Sequence, residues 1–495
     1  MAQDSDMPSI CHNCIGDGFL AAEVKEQGNP GRCKYCGRTR EALPLEALAD
    51  RVHEVLGEHF ELVPSDPTDG DGWFLQREGL WPDGEPVVSV ISGVTEVSDE
   101  IADDLRKLLH GRHDCWWDPK DSLAVDDAYG IESFYKESEP DDGPFRSSWN
   151  QFQHEIQSTS RFFSANAEDL LGLIFEDLPT HEAFDDRPVI REIGPNDEDR
   201  FVWRARVAQS TKQLKTILKS PTQEIGPPRS LWGKDGQIRP PGGRMNAPGI
   251  PVFYGATDMD TCVTEVRPPV GSYVVAARFE MLRTLRLLDL DALERIYVKE
   301  GYFDPEFATR RSKALFLQWL AKEISRPVMP QDETVEYLAT QVMAEYLANR
   351  PEPRLDGIIF RSSQTSGTGH NLVLFTHARR VKPHNLAQGT SVLTYIPSTG
   401  HGDPRHEYGA IHVYEPVSPD PPPAQVSPFR KVGGRACINL TTGNSPDAAY
   451  EHDEHHDALS YDEPTLRLDL ESVVVLNITD VKYCFDSSAV KWHQA

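Results

Sequence analysis

Two cysteine pairs set the strongest limit on how this chain can fold. Cys11-x-x-Cys14 and Cys33-x-x-Cys36 are separated by 18 residues. That is the spacing of a four-thiolate zinc site, in which each pair forms a tight knuckle and the metal joins two short segments. Gly16, Gly18, Gly31 and Gly37 supply the turn residues that such knuckles need. Residues 1–42 are too few to fold on a hydrophobic core alone, so the metal would have to hold them. Four cysteines close the coordination shell, which predicts a structural zinc rather than a catalytic one. His12 lies inside the first knuckle and is expected to point outward. Two disulfides would need an oxidising compartment, and nothing in the sequence indicates one. The other four cysteines, at 115, 262, 437 and 484, are scattered and read as buried free thiols.

The rest of the 495 residues leaves room for about three domains at roughly 150 residues each. With 50 basic and 78 acidic side chains the net charge is −28. That argues against bulk nucleic acid or an anionic membrane surface as a partner, because both need clustered Lys and Arg. It leaves a small anionic ligand open, since a few local Arg suffice for one. Hydrophobic residues make up 39%, enough for globular cores. No apolar run reaches the ~20 residues of a membrane span. The N-terminus has no basic and apolar leader pattern. The expectation is a soluble, cytoplasmic protein with no membrane partner.

Along the chain the texture changes near residue 190. From 41 to about 59 the spacing of Leu45, Leu48, Val52 and Val55 predicts a helix, and helical spacing recurs over 99–110, 148–156 and 167–175. Residues 43–192 therefore read as a mostly helical domain. Beyond them come strand-like runs at 201–207, 250–254, 272–279, 284–290, 357–360 and 371–375, with helical stretches at about 310–324 and 334–348. The fold class expected is α+β, with a mixed α/β domain over 193–385. Residues 386–495 read as an extension with a Pro-rich loop at 415–428 and terminal strands at 472–478 and 481–485, which would return to the preceding sheet. The tract Glu451–Asp457, with its three His, reads as a solvated polar loop.

Chemistry concentrates between 200 and 376. In the strand 201–207, Val202, Arg204 and Arg206 share one face, and a cation in an apolar strand is costly unless paired or used for an anion. The loop GGRMNAPG, residues 242–249, carries Arg244 and Asn246 and leads to Tyr254. A helix over 257–267, capped by Thr257 or Asp258, bears one acid in an apolar setting, Glu265. A strand from Asp356 ends at Ser362 and Ser363 and is followed by a Gly-rich turn and Asn371. The order of Arg204, GRMN, Tyr254, Glu265, Ser362 and Asn371 resembles the RES domain family, named for Arg, Glu and Ser.

That resemblance implies a fold like the ADP-ribosyltransferases and an activity that degrades NAD by cleaving its nicotinamide–ribose bond. It would make Arg204, Glu265 and Ser362 the catalytic set, with Arg204 on the phosphates, Tyr254 on the nicotinamide ring and Glu265 at the ribose. Arg244, Asn246 and Asn371 would join Tyr254 in binding. Arg206 and Ser363 stay open as alternatives to their neighbours. Met245 stands where the family often has Trp. The region before residue 190 resembles the zinc-plus-helical, HEPN-like segment that precedes some RES domains, on Cys11–Cys36 and the turn at 161–163.

Physical chemistry asks for the same residue types. Loss of neutral nicotinamide leaves an oxocarbenium-like ribose, which calls for a carboxylate beside it, Arg for the pyrophosphate and an aromatic face for the ring. The acceptor could be water or phosphate. A transferase to a macromolecule would usually present an acidic or Gln side chain two positions before its Glu, where this chain has Val263. A HEPN-type RNase reading rests on Arg106 and His113 with six residues between them, and the −28 charge disfavours it. An active NAD-consuming toxin or defence effector would harm its own cell. Restraint is therefore expected from an antitoxin or other regulatory protein, from the N-terminal region, or from assembly into a homo-oligomer.

Overall fold

The cysteine knuckles sit on a small antiparallel sheet. The structure is a computed structural model and describes residues 8–64, 83–113, 127–161, 164–227, 241–299, 301–329, 331–350, 353–365, 368–384, 390–394, 411–414 and 463–482. Strand β1 (Ser9–Cys11) precedes helix α1 (Gly18–Gln27), and strands β2 (Asn29–Arg32) and β3 (Thr39–Pro44) follow. The sheet order is β1–β3–β2. Asp17 caps α1, its carboxylate accepting from Leu20 N at 2.7 Å, which satisfies one orphan amide of the first turn.

Helix α2 (Leu45–His59) starts directly after Pro44. Leu45, Leu48, Ala49, Val52, Val55 and Leu56 form a buried stripe at helical spacing, each larger side chain contributing roughly 1.5–3 kcal/mol. Strands β4 (Phe60–Val63) and β5 (Glu85–Pro86) come next, then α3 (Val87–Thr95), α4 (Asp99–His113) and β6 (Phe134–Glu137). The second sheet has the order β4–β6–β5, inside the region whose spacing predicts mostly helix. Helices α5 (Gly143–Ser158) and α6 (Ala165–Phe175) complete this stretch.

Near residue 190 the chain enters a larger sheet. Its strands are β7 (Ile190–Ile193), β8 (Phe201–Ala208), β9 (Phe253–Ala256), β10 (Tyr273–Met281) and β11 (Leu285–Asp289). Helix α7 (Thr211–Lys219) follows β8, and α8 (Met259–Glu265) joins β9 to β10. After β11 come α9 (Phe307–Ser325) and α10 (Glu333–Asn349), then β12 (Gly357–Arg361), β13 (His370–Leu374) and the separate hairpin β14 (Ser391–Thr394) and β15 (Ile411–Tyr414). Strands β16 (Leu466–Leu468) and β17 (Val474–Asn477) close the list, and β17 pairs with β10, so the strand expected at 472–478 returns to the sheet. Of the one expected at 481–485, residues 481–482 are not strand and the rest lie outside the described residues, as does the loop at 415–428.

The order is β16–β10–β8–β9–β13–β12–β11–β7, with β17 also on β10. Every pairing is antiparallel except β11 with β12. A parallel pair needs a crossover, and residues 290–356 supply it. The molecule is α+β. Both faces of the sheet are covered, which is why its strands read as apolar runs. Val202 packs with Phe253, Val275 and Phe279 on one face, while Ala205 packs with Ala256, Cys262, Val274 and Ala276 on the other. The strand expected at 250–254 lies at Phe253–Ala256 instead. Pro251 has no N–H to offer a ladder, and Thr376 and Asn246 take the carbonyls of Pro251 and Ile250.

The chain divides into two compact units, and the division is not a single cut. One unit is Met1–Val189 with Ala292–Ile324; the other is Ile190–Asp291 with Ser325–Ala495. The inserted segment belongs to the first core. Phe303 is buried with Leu48, Val52 and Leu105. Tyr302 and Phe307 meet His59 edge-on, each at 5.4 Å between ring centroids. Lys313, only 5% exposed, pairs with Asp177 at 2.7 Å.

Candidate active site and metal centre

The four knuckle sulfurs lie within 4.8 Å of one another. Cys11–Cys14, Cys11–Cys36 and Cys14–Cys33 are 3.8, 3.6 and 3.7 Å apart. Those separations are too long for disulfides and close to the ~3.8 Å edge of a tetrahedron built on Zn–S bonds of about 2.3 Å. The donor set therefore fits a tetrahedral thiophilic metal. Burial acts to raise the Cys33 thiol, but the backbone groups of Cys36, Cys11 and Tyr35 outweigh it and lower its pKa overall. His12 faces Glu41 and is outside the cluster. Lys34 and Tyr35 both reach Asp104 on α4, at 2.6 and 3.1 Å, and so fasten the second knuckle to the helices.

Glu265 is the last residue of α8, a helix capped at its other end by Asp258. A carboxylate at a helix C-terminus faces carbonyl oxygens and gains nothing from the helix field. Its support comes from the sheet. Ser362 Oγ donates to Glu265 Oε1 at 2.6 Å, and Asn371 Nδ2 donates to the same oxygen at 2.7 Å. Both donors are buried, Ser362 at 1% and Asn371 at 7% exposure. Oε2 makes no hydrogen bond among the described residues.

Strand register brings these residues together. Asn371 pairs with Ala256 on one side and Phe360 on the other, so Asn371 and Ser362, two residues past Phe360, point to the face that α8 covers. Ser362 N donates to Gly369 O at 2.8 Å, closing the turn between β12 and β13. Gly369 is compelled by its neighbour, because a Cβ there would stand 1.8 Å from Thr261 Oγ1. Of the two candidate serines, Ser362 meets Glu265, whereas Ser363 is exposed and accepts from Gln364.

Tyr254 stands beside the GGRMN loop. Its hydroxyl donates to Asn246 Oδ1 at 2.9 Å and accepts from Met245 N at 3.0 Å. Burial pushes the phenol up to about 12 against the pull of the Met245 amide. Asn246 directs its amide group at the carbonyls of Pro241, Ala247 and Ile250, so it braces the loop from within. Gly243 allows the close approach, since a Cβ would meet the Tyr254 hydroxyl at 2.6 Å. Arg244 extends from this loop, donating to Arg326 O at 2.8 Å.

Arg204 is placed apart from Glu265, Ser362 and Asn371. It shares the β8 face of Val202, opposite to the face covered by α8. Its guanidinium donates to Ile225 O at 2.7 Å and to Tyr254 O, and lies 5.1 Å from the Phe253 ring. Burial, and then Arg206, press its pKa downward. Arg206 donates to Glu224 O at 2.9 Å.

Sequence reasoning did not single out α10. Thr340 Oγ1 donates to Arg244 O and Gln341 Nε2 to Gly243 O, at 2.6 and 2.8 Å, and the Arg244 guanidinium lies 5.0 Å from the Tyr337 ring. The helix pattern hides these residues, because Tyr, Thr and Gln in an amphipathic helix carry no motif. In the first unit Arg106, 7% exposed, donates to Tyr129 O and Asp103, which ties it into the fold. A cavity of about 550 Å³ lies elsewhere in the second unit, lined by Arg283, Arg286, Arg354, His377, Asp356 and Glu192. Arg283 is bidentate on Asp356 and Arg286 pairs with Glu192. The side chains of His113, Phe162 and Phe163 and the tract 451–457 lie outside the described residues.

An α+β unit whose sheet holds one glutamate by two buried donors defines the class, and comparison supplies the family. Residues 202–394 match the RES domain, and residues 26–169 match the HEPN/RES N-terminal domain 1. The chain carries a RES domain behind a HEPN/RES N-terminal domain. No curated protein and no solved structure matches it.

Proposed function

We propose that this protein cleaves the nicotinamide–ribose bond of NAD, as a toxin or defence effector held in check by a partner protein. The observation that carries the reading is the half-fixed carboxylate. Ser362 and Asn371 hold Oε1 of Glu265, which leaves Oε2 to face a developing positive charge. The RES match supports an enzyme acting on NAD.

As the bond from ribose C1′ to the ring nitrogen breaks, its electron pair goes to nicotinamide, which leaves neutral. Glu265 stabilises the cationic ribose and orients its 2′-hydroxyl. Water then bonds to C1′ and releases a proton, giving ADP-ribose; phosphate in its place would give the 1′-phosphate. Tyr254 offers an aromatic face to the ring, and Arg244 a cation to the pyrophosphate. Arg204 acts as a positioning residue, because its guanidinium fixes the carbonyl of Tyr254 from the other side of the sheet.

Val263 packs with the apolar side chains under α8, so no acceptor-presenting group precedes Glu265. That favours water or phosphate over a macromolecule. The four cysteines would hold a structural zinc, which supplies a staple for the N-terminal strands. The test is NAD consumption by purified protein, with and without inorganic phosphate, for wild type and Glu265→Ala. Release of free nicotinamide that the substitution abolishes is the expected result. Transfer of ADP-ribose to protein or nucleic acid with no free ADP-ribose would overturn it.

A further inference from the structure

The loop that carries Arg244 is braced from within by Asn246 and Tyr254, and Arg244 itself is held from outside that sequence block. Arg244 is a long, flexible cation, and a flexible cation binds weakly unless something limits its rotamers. Two contacts from residues 326–341 do so, and two more from the same stretch fix the loop backbone. Gln341 and Thr340 fix the carbonyls of Gly243 and Arg244. Arg326 O receives the guanidinium at 2.8 Å, and the Tyr337 ring lies 5.0 Å from it. Arg326 in turn pairs with Glu336, one residue before Tyr337, at 3.6 Å.

Electrostatics place the same ring near the carboxylate. Burial raises the Tyr337 phenol, Arg244 pulls it down, Glu333 raises it, Arg267 lowers it, and Glu265 raises it again. The ring is therefore within electrostatic reach of both the cation and the candidate catalytic carboxylate.

We propose that Tyr337 is a positioning residue for substrate binding, whose aromatic face holds Arg244 ready for a pyrophosphate group. This rests on the NAD reading for the identity of the substrate, though not for the contact itself. The role belongs to the ring and not to the hydroxyl. Tyr337→Ala should raise KM for NAD by roughly 5- to 30-fold while kcat stays within about twofold. Tyr337→Phe should restore wild-type KM. Tyr337→Ala combined with Arg244→Ala should be no worse than Arg244→Ala alone, because the ring acts through the guanidinium. Val335→Ala, on the exposed side of the same helix, should change nothing.

A second measurement separates the two readings: calorimetric binding of ADP to the full-length protein. ADP affinity should fall in Tyr337→Ala by the same factor and recover in Tyr337→Phe. If wild type binds ADP in this Tyr337-dependent way but leaves NAD intact, the NAD reading fails and the positioning role stands. The role is overturned if Phe and Ala are equally impaired, if kcat falls while KM holds, or if ADP binds equally well to Tyr337→Ala or does not bind wild type.

Discussion

The four-cysteine cluster and the Glu265 cluster use the same device to opposite ends. In the first, four donors converge from residues 11–36 and can enclose an ion completely. In the second, Ser362 and Asn371 converge on one carboxylate oxygen and leave the other without a partner among the described residues. A closed shell holds a fold together. A half-closed one is fixed in direction and still free to act, which is what a catalytic carboxylate requires. The difference teaches that rigidity alone does not mark a functional group; an acceptor left open beside it does.

The sharpest way to break this comparison is to disable each cluster and ask what is lost. Glu265→Ala should lower NAD consumption by at least about 10³-fold with little change in melting temperature. Chelation, or Cys33→Ser, should do the reverse. Loss of a structural zinc removes on the order of 10 kcal/mol from the segment that binds it, so circular dichroism should show early unfolding of the first unit, with one zinc per chain released. If chelation instead abolished turnover in a protein that melts normally, the metal would belong to the chemistry and the comparison would fail.

Smaller effects test how Oε1 is held. Ser362→Ala and Asn371→Ala should each lower kcat by roughly 10- to 100-fold, as loss of an orienting partner does at other sites. Both donors serve one oxygen, so the double variant should fall short of the product of the two losses. The smallest expected effect lies in the first unit. Burial acts to raise Asp177, but His181 and Lys313 overturn that and lower it to about 2. A depressed carboxylate stabilises the fold above its unfolded value of ~3.9, and that contribution, about 2 kcal/mol at most, disappears as pH falls from roughly 4 to 2. Asp177→Asn should therefore lower stability at neutral pH and flatten the acid limb of the melting profile.

Legibility followed locality. The cysteine spacing is a local pattern, and its strands and helix assemble within residues 8–59. The order of Arg204, Glu265 and Ser362 was also readable, but which of them meet was not. Ser362 and Asn371 reach Glu265 across 97 and 106 residues, through strand pairings that no spacing rule encodes. Arg204 shows the limit most clearly: alternation gave its face, and only the register showed that α8 covers the other one. Val87–Thr95 is a helix despite its β-branched residues, because Val87, Val90, Ile91 and Val94 are all buried at helical spacing and packing overrides propensity. The helix at 310–324 was legible, but that Ala292–Ile324 belongs to the first unit was not, since an apolar helical stripe does not name the core it joins.

That insertion also orders events during synthesis. Domains fold as their chain emerges, N-terminal parts first. The first unit cannot finish its core until Phe303, Phe307 and Lys313 have left the ribosome, and its last residue is Ile324. Ser362 and Asn371 emerge later still. An interrupted chain that lacks part of the first unit's insertion therefore lacks both donors to Glu265 as well. No product cut short at its C-terminal end can hold the complete carboxylate site without also holding the whole sequence of the first unit.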